Sequence, residues 1–251
     1  PRYRSSAASD VYKRQVTDSC GQTTTATVDV CQQAFTTSAS VDLEDWNYEG
    51  GARWDSSNDW VELTDTSTYA VGSAFDVVTE TRGNDVTIEF QFWNGGGTGA
   101  DGFALTALDL DRATGYIGSA GGCLGYGYGS GCDPLQSALP GWTLEFDNYH
   151  NSKWDPTTDD HIGFMFDGDV NNLEAWTALP DIEDSQWHTV VIEVSDPSVV
   201  VSIDGSVWMD VELTGYFDFP AHVGFSAATG GLTNYHLIDA LTVTDAACPT
   251  D

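Results

Sequence analysis

The sequence predicts an all-β protein, a jelly-roll β-sandwich of antiparallel sheets. Three observations carry that expectation. Apolar residues recur with period two over many short runs; Gly, Asp and Ser separate those runs; and from residue 35 onward no stretch shows the 3.6-residue period of an amphipathic helix. Val86, Ile88, Phe90 and Phe92 alternate with Thr87, Glu89, Gln91 and Trp93, so one side of this strand is built to face a core. Leu144 and Phe146 alternate with Glu145 and Asp147, which places the two carboxylates on one face, two residues apart. Val190, Ile192 and Val194 repeat the pattern. Val199, Val201 and Ile203 follow, and Asp204-Gly205 then provides a two-residue hairpin signal into Ser206-Val207-Trp208. Val223 with Phe225, and the run from Leu237 to Val243, supply two further strands. Many short strands with such turn chemistry fit a sandwich.

Composition narrows the function classes. The 251 residues suffice for one large β domain with a core, and nine tryptophans, ten tyrosines and eleven phenylalanines furnish it. With 39 acidic against 8 basic residues, the net charge of −31 argues against nucleic-acid or anionic-membrane partners, which need Lys/Arg patches. No apolar run approaches the ~18 residues of a membrane span, so insertion into a bilayer is not expected. Five cysteines suit an exported protein, secreted or at the cell surface. Cys123 and Cys132 bracket a glycine-rich loop that they are placed to close. Cys31 and Cys248 flank the main domain as candidates for a terminal clamp, leaving Cys20 for a partner elsewhere, although spacing alone does not set connectivity. The CxxC and Cys/His spacings of structural zinc are missing.

A composition break marks the start of the chain. Four of the eight basic residues (Arg2, Arg4, Lys13, Arg14) fall within the first fourteen positions. Residues 1–15 read as a non-native leader and are set aside. Residues 16–34 resemble the last hairpin of a bacterial immunoglobulin-like repeat, or a linker. The main domain is expected over 35–245, with 246–251 as a linker to other domains of a larger parent chain.

The most informative stretch runs from Glu145 to His161. Glu145, Asp147, Asn151, Asp155 and His161 place hard oxygen donors and one imidazole within a single strand-and-loop unit. Carboxylates crowded into so short a segment repel one another unless a cation neutralises them. Oxygen donors favour calcium, whereas an imidazole suits a softer transition metal. The combination predicts a metal site with room for two ions; the alternative is a solvated acidic loop in a chain that is acidic throughout.

Around this stretch, in order, stand Gly95-Gly-Gly-Thr-Gly-Ala-Asp-Gly-Phe-Ala-Leu, Gly121-Gly-Cys-Leu-Gly-Tyr-Gly, Trp187-His-Thr-Val-Val-Ile-Glu and Val223-Gly-Phe-Ser-Ala-Ala-Thr-Gly-Gly. Together they resemble a legume-type (L-type) lectin domain of the concanavalin A-like fold, in a bacterial extracellular version, over residues 35–245. The resemblance implies calcium held by Asp147, the carbonyl of Tyr149, Asn151 and Asp155. It implies a second site for manganese or another transition metal at Glu145, Asp147, Asp155 and His161. It also implies a glycan held by the Asp101 carboxylate, the Gly122 N–H, the Asn151 amide and the Tyr149 ring, with Gly231, Leu232 and the residues to Asn234 forming the variable specificity loop. The same resemblance implies a cis peptide between Ala100 and Asp101. Each role has a physical reason: calcium holds Asn151 in place, an aromatic ring covers the apolar face of a pyranose, and glycine lets a backbone N–H approach a ligand.

The function that follows is a calcium-dependent carbohydrate-binding module. Two other functions compete with it. A calcium-stabilised adhesion module would lack the sugar residues, all of which are present. A retaining glycosidase on this fold needs a second glutamate near Glu145, ~5–5.5 Å away; Glu145-Phe-Asp147 is followed by Tyr149 and His150 instead, and no Gly-x-Ser-x-Gly elbow occurs, so no enzyme is expected. Asp167-Gly-Asp169-Val-Asn171 opens like an EF-hand loop, but Asn172 and Ala178 replace its required glycine and glutamate. This segment and Asp109-Leu-Asp111-Arg112 are read as solvated turns, and His150, His188, His222 and His236 as structural or exposed.

Overall fold

Alternation along the strands decides which side chains meet, and the computed structural model shows the result for residues 10–17, 23–30, 43–129, 132 and 138–245. In chain order the strands are β1 (Asp10–Thr17), β2 (Thr23–Val30), β3 (Asn47–Gly50), β4 (Arg53–Asp55), β5 (Trp60–Thr64) and β6 (Val71–Phe75). Then come β7 (Thr81–Arg82), β8 (Asp85–Gly95), β9 (Gly102–Asp109), β10 (Gly141–Asp147), β11 (His161–Phe166) and β12 (Ala175–Ala178). The last are β13 (Trp187–Ser195), β14 (Ser198–Ile203), β15 (Ser206–Glu212), β16 (Pro220–Ala228) and β17 (Tyr235–Asp245). Among the described residues the only helical pieces are two 3₁₀ turns, Leu43–Asp45 and Ser152–Trp154.

Two large antiparallel sheets make a jelly-roll sandwich. An eight-stranded sheet runs β12-β11-β10-β9-β16-β6-β3, with β7 also on β16, and a seven-stranded sheet runs β15-β14-β13-β8-β17-β5-β4. Ile88, Phe90 and Phe92 of β8 point inward from the second sheet, as expected, and meet Phe103, Phe146 and Phe225 from the first. Phe103 and Phe146 stack at 4.5 Å, and Phe90 meets Phe225 edge-on at 4.9 Å. These contacts supply the apolar burial that drives the two sheets together. The fully buried indole of Trp142 donates its N–H to the Gly83 carbonyl at 2.8 Å.

The first sheet is covered on both faces. Every residue of β9 and β10 is buried, because the segment between them folds back over the outer face. Its Leu124, Tyr126 and Leu139 form a second, smaller core with Phe75, Ala104, Leu108 and Met165. The expected Cys123–Cys132 disulfide closes part of this segment, with Cα atoms 5.4 Å apart. Cys20, Cys31 and Cys248 lie outside the described residues.

Three features differ from the sequence reading. The strand expected over Leu237–Val243 is longer and irregular: β17 carries a bulge between Asp239 and Thr242, with Ala240 at φ +54°, and this restores an inward direction to Leu241 after Ile238. Backbone pairing of Asp10–Thr17 with Thr23–Val30 runs across the boundary drawn at residue 15, forming a separate hairpin. The two acidic turns are not simply solvated. Asp109 is buried and its carboxylate meets the Arg112 Nε at 2.5 Å, while Arg112 Nη1 reaches Asp167 at 2.9 Å. One of the few cations in the chain thus joins both turns, and periodicity could not indicate that. His236 is fully buried against Thr64, its ring nitrogen 2.6 Å from the hydroxyl, and burial lowers its pKa to about 3, so it is a neutral structural residue.

Removing the Arg112 charge leaves Asp109 buried without its cation. Arg112→Met should therefore cost ~1–3 kcal/mol, read as a lower urea midpoint at unchanged slope. A second prediction concerns pH. Burial opposes charge on His188, but its hydrogen bonds to Asp204 (2.7 Å) and Asp184 (3.1 Å) raise its pKa above 6.5. A raised folded pKa gives stability that is complete below the unfolded value and is lost as pH rises through the folded one. His188→Gln should lower the thermal midpoint at pH 5.5 and leave it nearly unchanged at pH 9.

Candidate functional site

Strand register assembles the site. On β10 and β11, Asp147 lies opposite His161 and Glu145 opposite Gly163, so Glu145, Asp147 and His161 project from the same outer face. The glycine matters here: a Cβ at position 163 would stand 2.6 Å from Glu145 Oε1. All three side chains are buried. Glu145 accepts a 2.5 Å hydrogen bond from the Tyr126 hydroxyl through Oε2, and its Oε1 lies 3.5 Å from His161 Nε2.

The loop after β10 closes over these groups. A small hollow of about 10 Å³ is lined by Gly122, Glu145, Asp147, Asn151, Asp155 and His161, with Trp154 among its other walls. That is room for one water-sized occupant. Asn151 precedes the 3₁₀ turn Ser152–Trp154 but does not cap it, and its Oδ1 is buried without a hydrogen-bond partner. Its backbone N–H instead donates to Asp155 Oδ2, and the Tyr149 N–H donates to Asp147 Oδ1 at 2.8 Å. With two carboxylates turned onto backbone N–H groups, no three acidic, His or Cys side chains among the described residues close on a single point. The donors surround the hollow without converging.

Charge explains why the arrangement fits a cation. Burial, then Glu145 and Asp155, push the Asp147 carboxyl well above the ordinary range. Burial also raises Asp155, offset in part by the Asn151 N–H and His161. Burial, with Asp155 behind it, pushes Asp101 up to about 6. Groups forced towards the neutral form by burial and by each other are the groups a bound cation returns to the charged form. Asp101 Oδ2 and Asn151 Oδ1 are both buried acceptors without a partner, and each such group costs free energy unless a ligand satisfies it. The donor set of carboxylates and an amide oxygen suits a hard ion.

Asp101 joins from the neighbouring strand. The Ala100–Asp101 peptide is cis, as expected. The Asp101 N–H bonds the Ala228 carbonyl at 3.0 Å and its carbonyl accepts the Asn148 N–H at 2.9 Å, which ties β9 to the loop after β10. The loop after β16 lies beside it. A Cβ on Gly230 would stand 3.1 Å from Asp101 Oδ2, and the Thr98 and Gly99 N–H groups bond the Thr233 carbonyl at 2.6 and 3.1 Å. Gly231 and Leu232 are exposed at the tip of this loop.

The predicted residues thus fall into three groups. Gly122, Glu145, Asp147, Asn151, Asp155 and His161 share the hollow. Asp101 stands next to it. Tyr149, 39 % exposed, presents its ring to solvent and reaches the hollow only through its backbone, and Gly231 and Leu232 do not line the hollow; the glycine beside Asp101 is Gly230. Sequence reasoning missed Tyr126, Gly163, Gly230 and the chain Asn94–Asn148–Asp160, in which Asn94 Nδ2 donates to Asn148 Oδ1 at 3.0 Å and Asn148 Nδ2 to Asp160 at 3.4 Å. The glycines flanking Tyr126 were visible, but nothing local says which carboxylate its hydroxyl meets.

No protein-family model matches the sequence. The fold has solved counterparts. The exoplasmic/lumenal domain of VIP36, in a Ca2+/Man-bound form, aligns with a TM-score of 0.64 at 17% identity, covering 82% of this chain and 84% of that one. The carbohydrate recognition domain of Emp46p in its potassium-bound form gives 0.59 at 15%, covering 82% and 91%. The legume lectin-like domain from Entamoeba histolytica gives 0.58 at 10%, covering 81% and 91%. The chain therefore has the L-type lectin fold.

Gly122 offers a local test. A Cβ there would stand 2.8 Å from Asn151 Oδ1, and the amide can yield where backbone could not. Gly122→Ala should change stability by less than ~1 kcal/mol, yet weaken any ion or sugar held through Asn151 by about ten-fold, as read by calorimetric titration.

Proposed function

We propose that this domain is a carbohydrate-binding module whose sugar is held through a bound calcium ion. The observation that carries the reading is the pair of buried, partnerless acceptors, Asp101 Oδ2 and Asn151 Oδ1, beside an ion-sized hollow walled by carboxylates and by Gly122. Asp147, Asn151, Asp155 and the Tyr149 carbonyl would hold the calcium. The ion supplies positive charge that neutralises the carboxylates and orients the amide. Asn151 and the Gly122 N–H would then donate to sugar hydroxyls that Asp101 accepts, while the Tyr149 ring, already half-open to solvent, covers a C–H face of the pyranose. Gly231 and Leu232 would select among sugars from the rim. The forms in which the VIP36 domain has been solved, with Ca2+ and mannose or Man3GlcNAc, support this reading by analogy of fold.

A second, transition-metal position at Glu145, Asp147, Asp155 and His161 has narrower support. His161 and Glu145 are buried beside the hollow, but one Glu145 oxygen is engaged by Tyr126. Manganese is therefore proposed only as a competitor for the same donors. Binding rather than catalysis, and an exported location consistent with a fold shared by an exoplasmic/lumenal domain, complete the proposal.

Calcium titration followed by mannose and a glycan array, with and without chelator, tests it. Calcium should raise the thermal midpoint, and glycan binding should disappear on chelation and in Asp101→Ala, a variant that keeps the calcium response. Asn151→Ala should lose both responses. Glycan binding that persists after exhaustive chelation would overturn the mechanism. A calcium response with no glycan bound would leave a calcium-stabilised adhesion module.

A further inference from the structure

The outer face of the seven-stranded sheet, away from the site above, carries a second concavity of about 370 Å³ lined by Trp60, Glu62, Trp93, Trp187, Tyr235 and Leu237. Strand pairing builds it. Trp187 on β13 lies opposite Trp93 on β8, Trp93 opposite Leu237 on β17, and Leu237 opposite Glu62 on β5, so four side chains cross four strands in one row. Trp60 and Tyr235 sit two residues along their strands and, by the period of a strand, on the same face. Trp60 and Trp187 meet with ring centroids 5.7 Å apart and planes tilted 46°, closing one wall. Trp93 and Tyr235 stack on no other ring among the described residues, which leaves their faces available. Trp187 remains 37 % exposed. Three tryptophans and a tyrosine on the solvent side of a sheet are costly unless something covers them.

Charge says what. Glu62 is almost buried in the floor and pairs with Arg53 Nη2 at 2.5 Å across β4 and β5. Asp55 and Asp65 also act on Glu62 with the same sign as its own charge. Three carboxylates thus face one guanidinium, and the surroundings stay negative within a chain of net charge −31. A pyranose would need several hydrogen bonds. Here Glu62 is the one charged group in the lining, its Oε1 ion-paired with Arg53 but buried without a hydrogen bond, and the Trp60 indole N–H is buried out of reach with no partner. A neutral apolar guest would gain nothing from the local charge. A poorly hydrated cation gains from both, since ring faces attract positive charge and a desolvated carboxylate adds to it.

We propose that this hollow is an aromatic cage for a quaternary or methylated ammonium group, with Trp93, Trp187 and Tyr235 supplying ring faces, Trp60 closing the wall and Glu62 lying beneath the charge. The volume falls within the range of small-ligand pockets. The site is independent of calcium and of the glycan reading.

Tryptophan fluorescence and NMR titrations of the whole chain, in chelator and at constant ionic strength, test the proposal with tetramethylammonium and choline. The neutral isostere 3,3-dimethylbutan-1-ol and methyl α-mannoside serve as comparison ligands. Both cations should bind saturably, the isostere about ten-fold more weakly. Trp93→Ala and Trp187→Ala should each lose about ten-fold in affinity for choline while keeping a cooperative thermal transition and the chemical-shift dispersion of a folded sandwich. If those variants do not fold, the comparison of cation with isostere on the unaltered chain decides. No saturable binding of either cation, equal binding of the isostere, or displacement of choline by the sugar would each overturn the cage.

Discussion

The structure turns on burying like charges at one end of a sheet. Glu145, Asp147 and Asp101 are all nearly inaccessible, and Asp155 completes the set from the adjacent loop. Water alone would pull such groups apart, because each ionised carboxylate loses solvation when buried and repels its neighbours. The chain supplies what compensation it can. Tyr126 donates to Glu145, the Tyr149 and Asn151 N–H groups donate to Asp147 and Asp155, and Gly163 leaves space over Glu145. Two connections, β9–β10 and β10–β11, must both be in place for these contacts to exist. What stays uncompensated, two acceptors and an excess of negative charge, defines the ligand the site is built for.

The same constraint accounts for the covered outer face of the first sheet. A jelly-roll sheet with one solvated face shows polar residues there, yet Ala104, Leu108 and Met165 are buried against Leu124, Tyr126 and Leu139. The covering segment delivers Tyr126 to Glu145 and Gly122 to Asn151 in one continuous stretch, and the Cys123–Cys132 bridge closes the loop that carries Tyr126. The second core is thus the foundation of the site. Loosening it displaces a glycine and a tyrosine that share no strand with the carboxylates they serve.

How much of this was legible follows from what is local. Alternation in residues 86–93 and 190–203 gave strands because a strand writes its faces into consecutive residues. That Glu145, Asp147, Asn151, Asp155 and His161 gather around one hollow was legible because they lie in one strand-and-loop unit. The partners that arrive by sheet pairing were not. Arg112 bridging Asp109 and Asp167, Asn94 reaching Asp160 through Asn148, and Tyr126 on Glu145 depend on register and on loops whose endpoints the sequence does not print. The β17 bulge was equally hidden: Ala240 is an ordinary residue in a left-handed conformation, and only pairing with β8 reveals it.

Parity along β8 then connects the two faces of the second sheet. Phe92 points into the aromatic core and Trp93, one residue later, points out into the proposed cage. The sequence alone reads Trp93 as the polar side of an amphipathic strand, and it is instead a second aromatic surface. A one-residue slip would exchange the two rings and destroy core and cage together, so the packing that holds Phe92 also holds Trp93 in place. The chain's net charge of −31 favours cations in general, and the two proposed sites would discriminate among them by hydration. Carboxylate and amide oxygens replace the water around a hard divalent ion. Indole faces offer no such oxygen and suit a cation whose alkyl groups have already displaced its water. Opposite sheets of one sandwich can therefore hold chemically different cations without competing.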